Sequence, residues 1–99
     1  MKRFELTRQA HADLQNIWDF IAQDSLDAAD RVLDEFQHPI ARLAAMPGIG
    51  HTREDLTTQD ILFWPMYSYL ILYRKNSAPL LIVGVLHGRR TLQPILEER

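Results

Sequence analysis

Apolar residues recur along this chain with different periods, and each change of period marks an element. Phe4 and Leu6 alternate with Arg3 and Glu5, the two-residue period of a short strand. Thr7 supplies an N-cap hydroxyl. Ala10, Leu14, Ile17, Trp18 and Ile21 then recur at three- and four-residue spacing, which predicts a helix from about 8 to 23. Asp13, Gln15, Asn16, Asp19 and Gln23 fall mostly off this stripe, toward water. Asp24-Ser25 breaks the pattern. Ser25 caps a second helix, with Asp27 in its first turn, where negative charge is favoured. Ala29, Val32, Leu33, Phe36, Ile40 and Leu43 form its stripe. The linker is short enough to make the pair an antiparallel hairpin. Pro39 removes one backbone hydrogen bond inside that stripe, which stays in phase beyond it. A kink near 37–39 is expected, with termination only at Pro47-Gly48-Ile49-Gly50.

After a polar stretch over 48–60, the period shortens again. Ile61 to Met66 reads as a strand that Pro65 confines to an edge or a bulge. Tyr67 to Arg74 reads as the next strand, with Tyr67, Tyr69, Ile71 and Tyr73 on one face. Lys75 to Pro79 has the composition of a hairpin turn, and Leu80 to His87 is apolar on both faces, as a central strand must be. Leu92 to Glu98 is expected to form a last helical turn. The order β-α-α-β-β-β implies an α+β fold, an antiparallel sheet with an N-terminal helix hairpin packed on one face. Ninety-nine residues with no internal linker make one domain, 1–99.

Composition narrows the classes of function. The absence of Cys excludes a disulfide scaffold and any thiolate metal site. The longest apolar run, Leu80 to Leu86, is far too short for a membrane helix, and no secretory apolar region follows Met1. A cytoplasmic protein without membrane association is the expectation. The net charge of −2 conceals an asymmetry. Residues 1–50 hold five Lys or Arg against eight Asp or Glu, whereas Ile61 to Leu96 hold Arg74, Lys75, Arg89 and Arg90 and no acid. An acidic partner would therefore be met by a local basic surface, not by the field of the whole molecule.

Candidate chemistry is sparse. No Gly-rich phosphate loop joins a strand to a helix, and the four His residues have no metal-ligand spacing. Neither a cofactor nor a metal is expected. Arg53, Arg74, His87, Arg89 and Arg90 are candidates for contact with an anionic or protein target. The turn at 76–78 places Arg74 near the start of the last strand and Arg89 past its end, so the two belong to opposite ends of that hairpin; Arg53 could approach either. The alternative is that Arg74 caps or pairs locally and that Arg89 and Arg90 are merely solvated. Trp64, Tyr67, Tyr69 and Tyr73 offer large amphipathic area beside an edge. Two readings stand for them: core residues whose hydroxyls reach water, or interface anchors.

The motifs in series resemble a known family. Phe4-Glu5-Leu6-Thr7 followed by Ala10, Asp13-Leu14, Ile17-Trp18 and Ile21-Ala22 resembles the opening of the RelE/ParE toxin superfamily, "LT..A..DL..I..YIA". Pro47-Gly48-Ile49-Gly50 with Arg53-Glu54-Asp55-Leu56 resembles its "P..G..R.DL". Tyr69 to Arg74 resembles "Y.I.YR", and Val85 to Arg90 resembles "VLHG.RD", with Thr91 departing from the usual Asp. The resemblance implies a toxin of a type II toxin–antitoxin pair, of the kind tied to plasmid stabilisation. It also implies a ParD-like antitoxin that covers the helix hairpin and sheet edge, with Trp18, Phe36, Trp64, Tyr67, Tyr69 and Tyr73 as candidate contacts. Operator DNA binding would rest with the antitoxin, not this chain. ParE-like members are associated with DNA gyrase inhibition without a catalytic centre; RelE-like members cleave mRNA on the ribosome with clustered basic residues. Thr52 to Met66 holds one basic residue, Arg53, against Glu54, Asp55 and Asp60, which places the chain on the ParE side. A ribosome-dependent nuclease is the alternative, with Arg53, Tyr73, Arg74 and Arg89 as its candidate residues.

Overall fold

A computed structural model describes residues 3–57, 59–74 and 76–88. Strand β1 (Phe4–Leu6) leads into α1 (Arg8–Ala22) and α2 (Leu26–Ala45). A 3-10 turn (Pro47–Ile49) follows, then β2 (Leu62–Met66), β3 (Tyr69–Arg74) and β4 (Leu80–His87). Both helix starts are set by the hydroxyls that the sequence marks. Thr7 Oγ1 accepts from the Ala10 amide and Ser25 Oγ from the Ala28 amide, each at 3.1 Å. Helix α2 runs through Pro39 without ending. Arg89 to Thr91 and the expected terminal turn over Leu92–Glu98 lie outside the described residues.

The sheet order is β1-β4-β3-β2, so β4 is internal and β2 is an edge. The fold class is as expected, but the sheet is mixed. β2, β3 and β4 are antiparallel neighbours, whereas β1 lies parallel to β4, with Phe4 opposite Leu80 and Leu6 opposite Ile82. No turn joins β1 to β4. Their relative direction is set by where the helix hairpin must land on the sheet, and local turn chemistry carries no information about it.

Val83 is an extra residue in β4, because Leu72 faces Gly84 and Tyr73 faces Ile82. The bulge switches the alternation. Leu80, Ile82 and Val85 pack on the helix side with Ile71, Tyr73, Phe36, Ile40 and Leu43. Val83 and Leu86 pack on the other face with Ile61, Phe63 and Leu72, and the 51–60 segment brings Leu56 onto them. β4 is thus apolar on both faces because both are covered.

The outer edge of β2 is closed to a further strand. The Phe63 amide donates to His51 O, and the Phe63 carbonyl accepts from the His51 amide, both at 2.8 Å. The Ile61 amide donates to Gln59 O at 2.8 Å, and Pro65 has no N–H to offer.

Three further expectations need correction. Tyr67 is not on a strand face. With Ser68 it forms the two-residue turn between β2 and β3, at φ 55°. Tyr73 does not send its hydroxyl to water, since the side chain is 0% exposed. Asp13 does not face water either; it is 8% exposed.

Candidate functional site

The register of β3 on β4 defines two ends of the molecule. Arg74 lies opposite Leu81, and Tyr69 lies opposite His87. The Arg74 guanidinium donates to Gln59 Oε1 at 3.3 Å, and Asn76 Nδ2 donates to Asp60 Oδ2 at 3.0 Å. Arg53 is at this same end: it lines a cavity of about 240 Å³ together with Gln59 and Asp60. Its guanidinium makes a two-bond fork with Asp55, at 3.0 Å from Nε and 2.9 Å from Nη2. That fork raises the Arg53 pKa and lowers that of Asp55, the shared hydrogen bonds being the main cause. Arg53 and Arg74 therefore stand together at one end, each engaged locally, and His87 stands at the other. Arg89 and Arg90 lie outside the described residues.

The His87 end is aromatic. Phe36, in the core, meets the Tyr69 ring edge-on at 5.8 Å, and Tyr69 meets His87 edge-on at 5.5 Å. This run leads from the core to the surface. Gly88 donates its amide to Ser68 O at 2.8 Å, tying the exit of β4 to the β2–β3 turn. Tyr67 is 72% exposed, and its hydroxyl donates to Glu35 Oε2 at 2.5 Å. The carboxylate holds the Tyr67 pKa above the ordinary phenol value. A bulky residue at positive φ is unfavourable, so the position is held by this contact and by the hairpin around it.

Beside this run lies a cavity of about 300 Å³ lined by Asp13, Asn16, Ile17, Phe20, Tyr69, Val85 and His87. The Asp13 carboxylate accepts the Val85 amide at 3.0 Å. β1 pairs with Leu80 to Ile82, so among the described residues no strand flanks β4 on this side beyond that point, and α1 supplies the acceptor instead.

The aromatic candidates divide by burial. Phe36 and Tyr73 are interior. The Tyr73 hydroxyl donates to Pro47 O at 2.6 Å and accepts the Gly50 amide at 2.9 Å. Burial raises its pKa, partly offset by the Gly50 hydrogen bond. Neither residue offers surface to a partner. Trp18 is half-buried and joins the two helices, its indole N–H donating to Asp30 Oδ1 at 2.9 Å. Trp64 is half-buried on β2, with the Arg42 guanidinium 5.6 Å from its ring centroid and the His51 ring parallel to it at 5.9 Å. Tyr67, Tyr69 and Trp64 remain accessible in whole or part.

Two residues of the aromatic end escaped the sequence reading. Glu35 carried no signal. Asp13 did, since it follows Ala10 by three residues and precedes Ile17 by four, the spacing of the stripe itself. Among the described residues no group of His, Asp and Glu is arranged to hold a metal, and no helix is long and apolar enough to cross a membrane.

Comparison with known proteins agrees with this architecture. No curated protein matches the sequence significantly. A chain from the chromosomal ParDE toxin–antitoxin system of P. aeruginosa has the same fold, with a TM-score of 0.71 at 16% identity over 85% of this chain and 92% of that one. Residues 4–92 match the model of the ParE toxin of type II toxin–antitoxin systems. A match over that much of the sequence places this chain in the ParE toxin family.

Proposed function

We propose that this ParE-family toxin acts by binding DNA gyrase, without a catalytic centre of its own, and that a ParD-like antitoxin encoded beside it neutralises it. The observation that carries this reading is the state of Tyr73. It is the aromatic acid/base candidate of the nuclease alternative, yet its hydroxyl is buried and bonded to two backbone groups. A proton-transfer group must reach the reacting atom. At the surface Arg53 pairs with Asp55 and Arg74 donates to Gln59. Stabilising a developing phosphate charge calls for several cations converging on one point. The contact surface for gyrase is proposed to include His87, Arg89 and Arg90. The antitoxin is proposed to cover the helix hairpin and the accessible aromatics Trp18, Trp64, Tyr67 and Tyr69. Action in the cytoplasm, a role in stabilising a plasmid and the absence of sequence-specific DNA binding belong to the same reading.

The test is inducible expression in a bacterium, with and without the product of the neighbouring reading frame, scored by separate read-outs of replication and translation. DNA damage and filamentation with translation continuing at first are expected, reversed by the neighbour. Early collapse of translation with cut mRNA would overturn it.

A further inference from the structure

We propose that Tyr67 is the anchor by which the antitoxin grips this toxin, a side chain retained against backbone strain so that its ring can pack on aliphatic side chains of that partner. This deepens the antitoxin reading and rests on it for the partner's identity.

Tyr67 takes the first central position of the two-residue turn between β2 and β3, at φ 55°. Such a position suits Gly, Asn or Asp, which bear positive φ at little cost. None of the chain's four glycines has positive φ, whereas the one non-glycine residue there, among the described residues, carries a large aromatic side chain. Steric crowding makes this unfavourable. Strain of this kind concentrates where a side chain serves function and not folding. The fold makes little use of the ring, which is 72% exposed and belongs to neither apolar layer of the core. The other aromatics proposed for the antitoxin are each engaged within the fold. Trp18 bonds to Asp30, Trp64 lies against Arg42 and His51, and Tyr69 meets Phe36 and His87.

Tyr67 has its hydroxyl bond to Glu35, and one exposed hydrogen bond at most balances the strained backbone. The same bond defines what is offered to a partner. It tethers the side chain to α2 in one direction, while the Gly88 amide on Ser68 O fixes the turn beneath it. The ring is therefore presented already ordered, so binding loses little entropy in ordering it. Its polar end is satisfied by Glu35, and what stays open is apolar ring surface. Aliphatic side chains match that surface, and a buried Tyr ring is a common centre of binding energy.

The test measures binding of the neighbouring reading frame's product to the full chain, in parallel with thermal melting of the chain alone. Tyr67→Gly and Tyr67→Asn both relieve the backbone and remove the ring. Each should melt at or above the parent's temperature, yet bind the product about tenfold or more weakly. Tyr67→Phe keeps the ring without its tether and should lose less affinity. The loss in Tyr67→Gly should be the same at low and high salt. Parental affinity in Tyr67→Gly and Tyr67→Asn would overturn the proposal and leave the antitoxin reading standing. So would weaker binding accompanied by a lower melting temperature, since the side chain would then be structural. A loss that vanishes at high salt would overturn the aliphatic match in favour of a cation on the ring. No binding by the parent would overturn the antitoxin reading and the proposal with it.

Discussion

Removing one oxygen, in Tyr73→Phe, should lower stability more than any other change of comparable size. The hydroxyl clamps the 47–50 segment to β3 through Pro47 O and the Gly50 amide, at 2.6 and 2.9 Å. Each such bond contributes about 1 kcal/mol net, and a backbone group left unpaired adds to the loss. Pro47 and Gly50 are half-exposed, so water replaces part of the lost bonding. The expected loss is about 2 kcal/mol. With a urea slope of roughly 1–1.5 kcal/mol/M for a small domain, the unfolding midpoint should fall by about 1.5 M at unchanged slope. A midpoint shift under about 0.3 M would refute the clamp. The partner position gives an internal check. A Cβ on Gly50 would lie 2.2 Å from the Tyr73 hydroxyl oxygen and 2.8 Å from a ring carbon. Gly50→Ala should therefore be severe in the parent and milder in Tyr73→Phe, where the closest clash is gone. A double-mutant cycle should show coupling of about 1 kcal/mol or more, whereas additivity within about 0.5 kcal/mol would contradict the geometry.

Other outcomes follow from the same contacts. Folding holds the Tyr73 pKa above the phenol value near 10, so the native state binds that proton more tightly than the unfolded chain. Stability should be level below that value and fall as pH rises through the folded pKa, and Tyr73→Phe should abolish this contribution in urea melts across alkaline pH. Tyr67→Gly relieves the positive φ and loses only a surface hydrogen bond to Glu35, so thermal melting should show it neutral or more stable by up to about 1 kcal/mol; Tyr67→Val should be clearly destabilised. Asp13→Ala strands the Val85 amide and should cost about 2 kcal/mol, while Asp13→Asn should cost distinctly less, both read by urea unfolding.

The helices were legible because their signals are local. Thr7 and Ser25 announce each start, the stripes fix the buried faces, and Pro47-Gly48 announces the stop. The internal position of β4 was legible from its two apolar faces, and the edge position of β2 from Pro65. What escaped depends on contacts remote in sequence. The parallel pairing of β1 with β4 joins residues separated by most of the chain, with no turn to encode it. The Tyr67-Ser68 turn lacks the Asn-Gly or Asp-Gly signal of a two-residue hairpin and continues the tyrosine alternation, so it read as strand. Asp13 has the spacing of the stripe but a charge that favours water, and its burial follows from a contact remote in sequence, the Val85 amide that β1 leaves unpaired by ending before β4 does. The separation of Arg74 from the far end of the hairpin was legible in part, since it followed from turn placement; the side of Arg53 was not.

The most direct test of a non-catalytic toxin is a titration of purified gyrase with this chain, following supercoiling of plasmid DNA. Loss of supercoiling that saturates near equimolar toxin, and returns when the neighbouring reading frame's product is added, is the predicted result; Tyr73→Phe should behave as the parent under conditions where it is folded. Unimpaired supercoiling, with mRNA cut on ribosomes by the parent and not by Tyr73→Phe, would contradict the account.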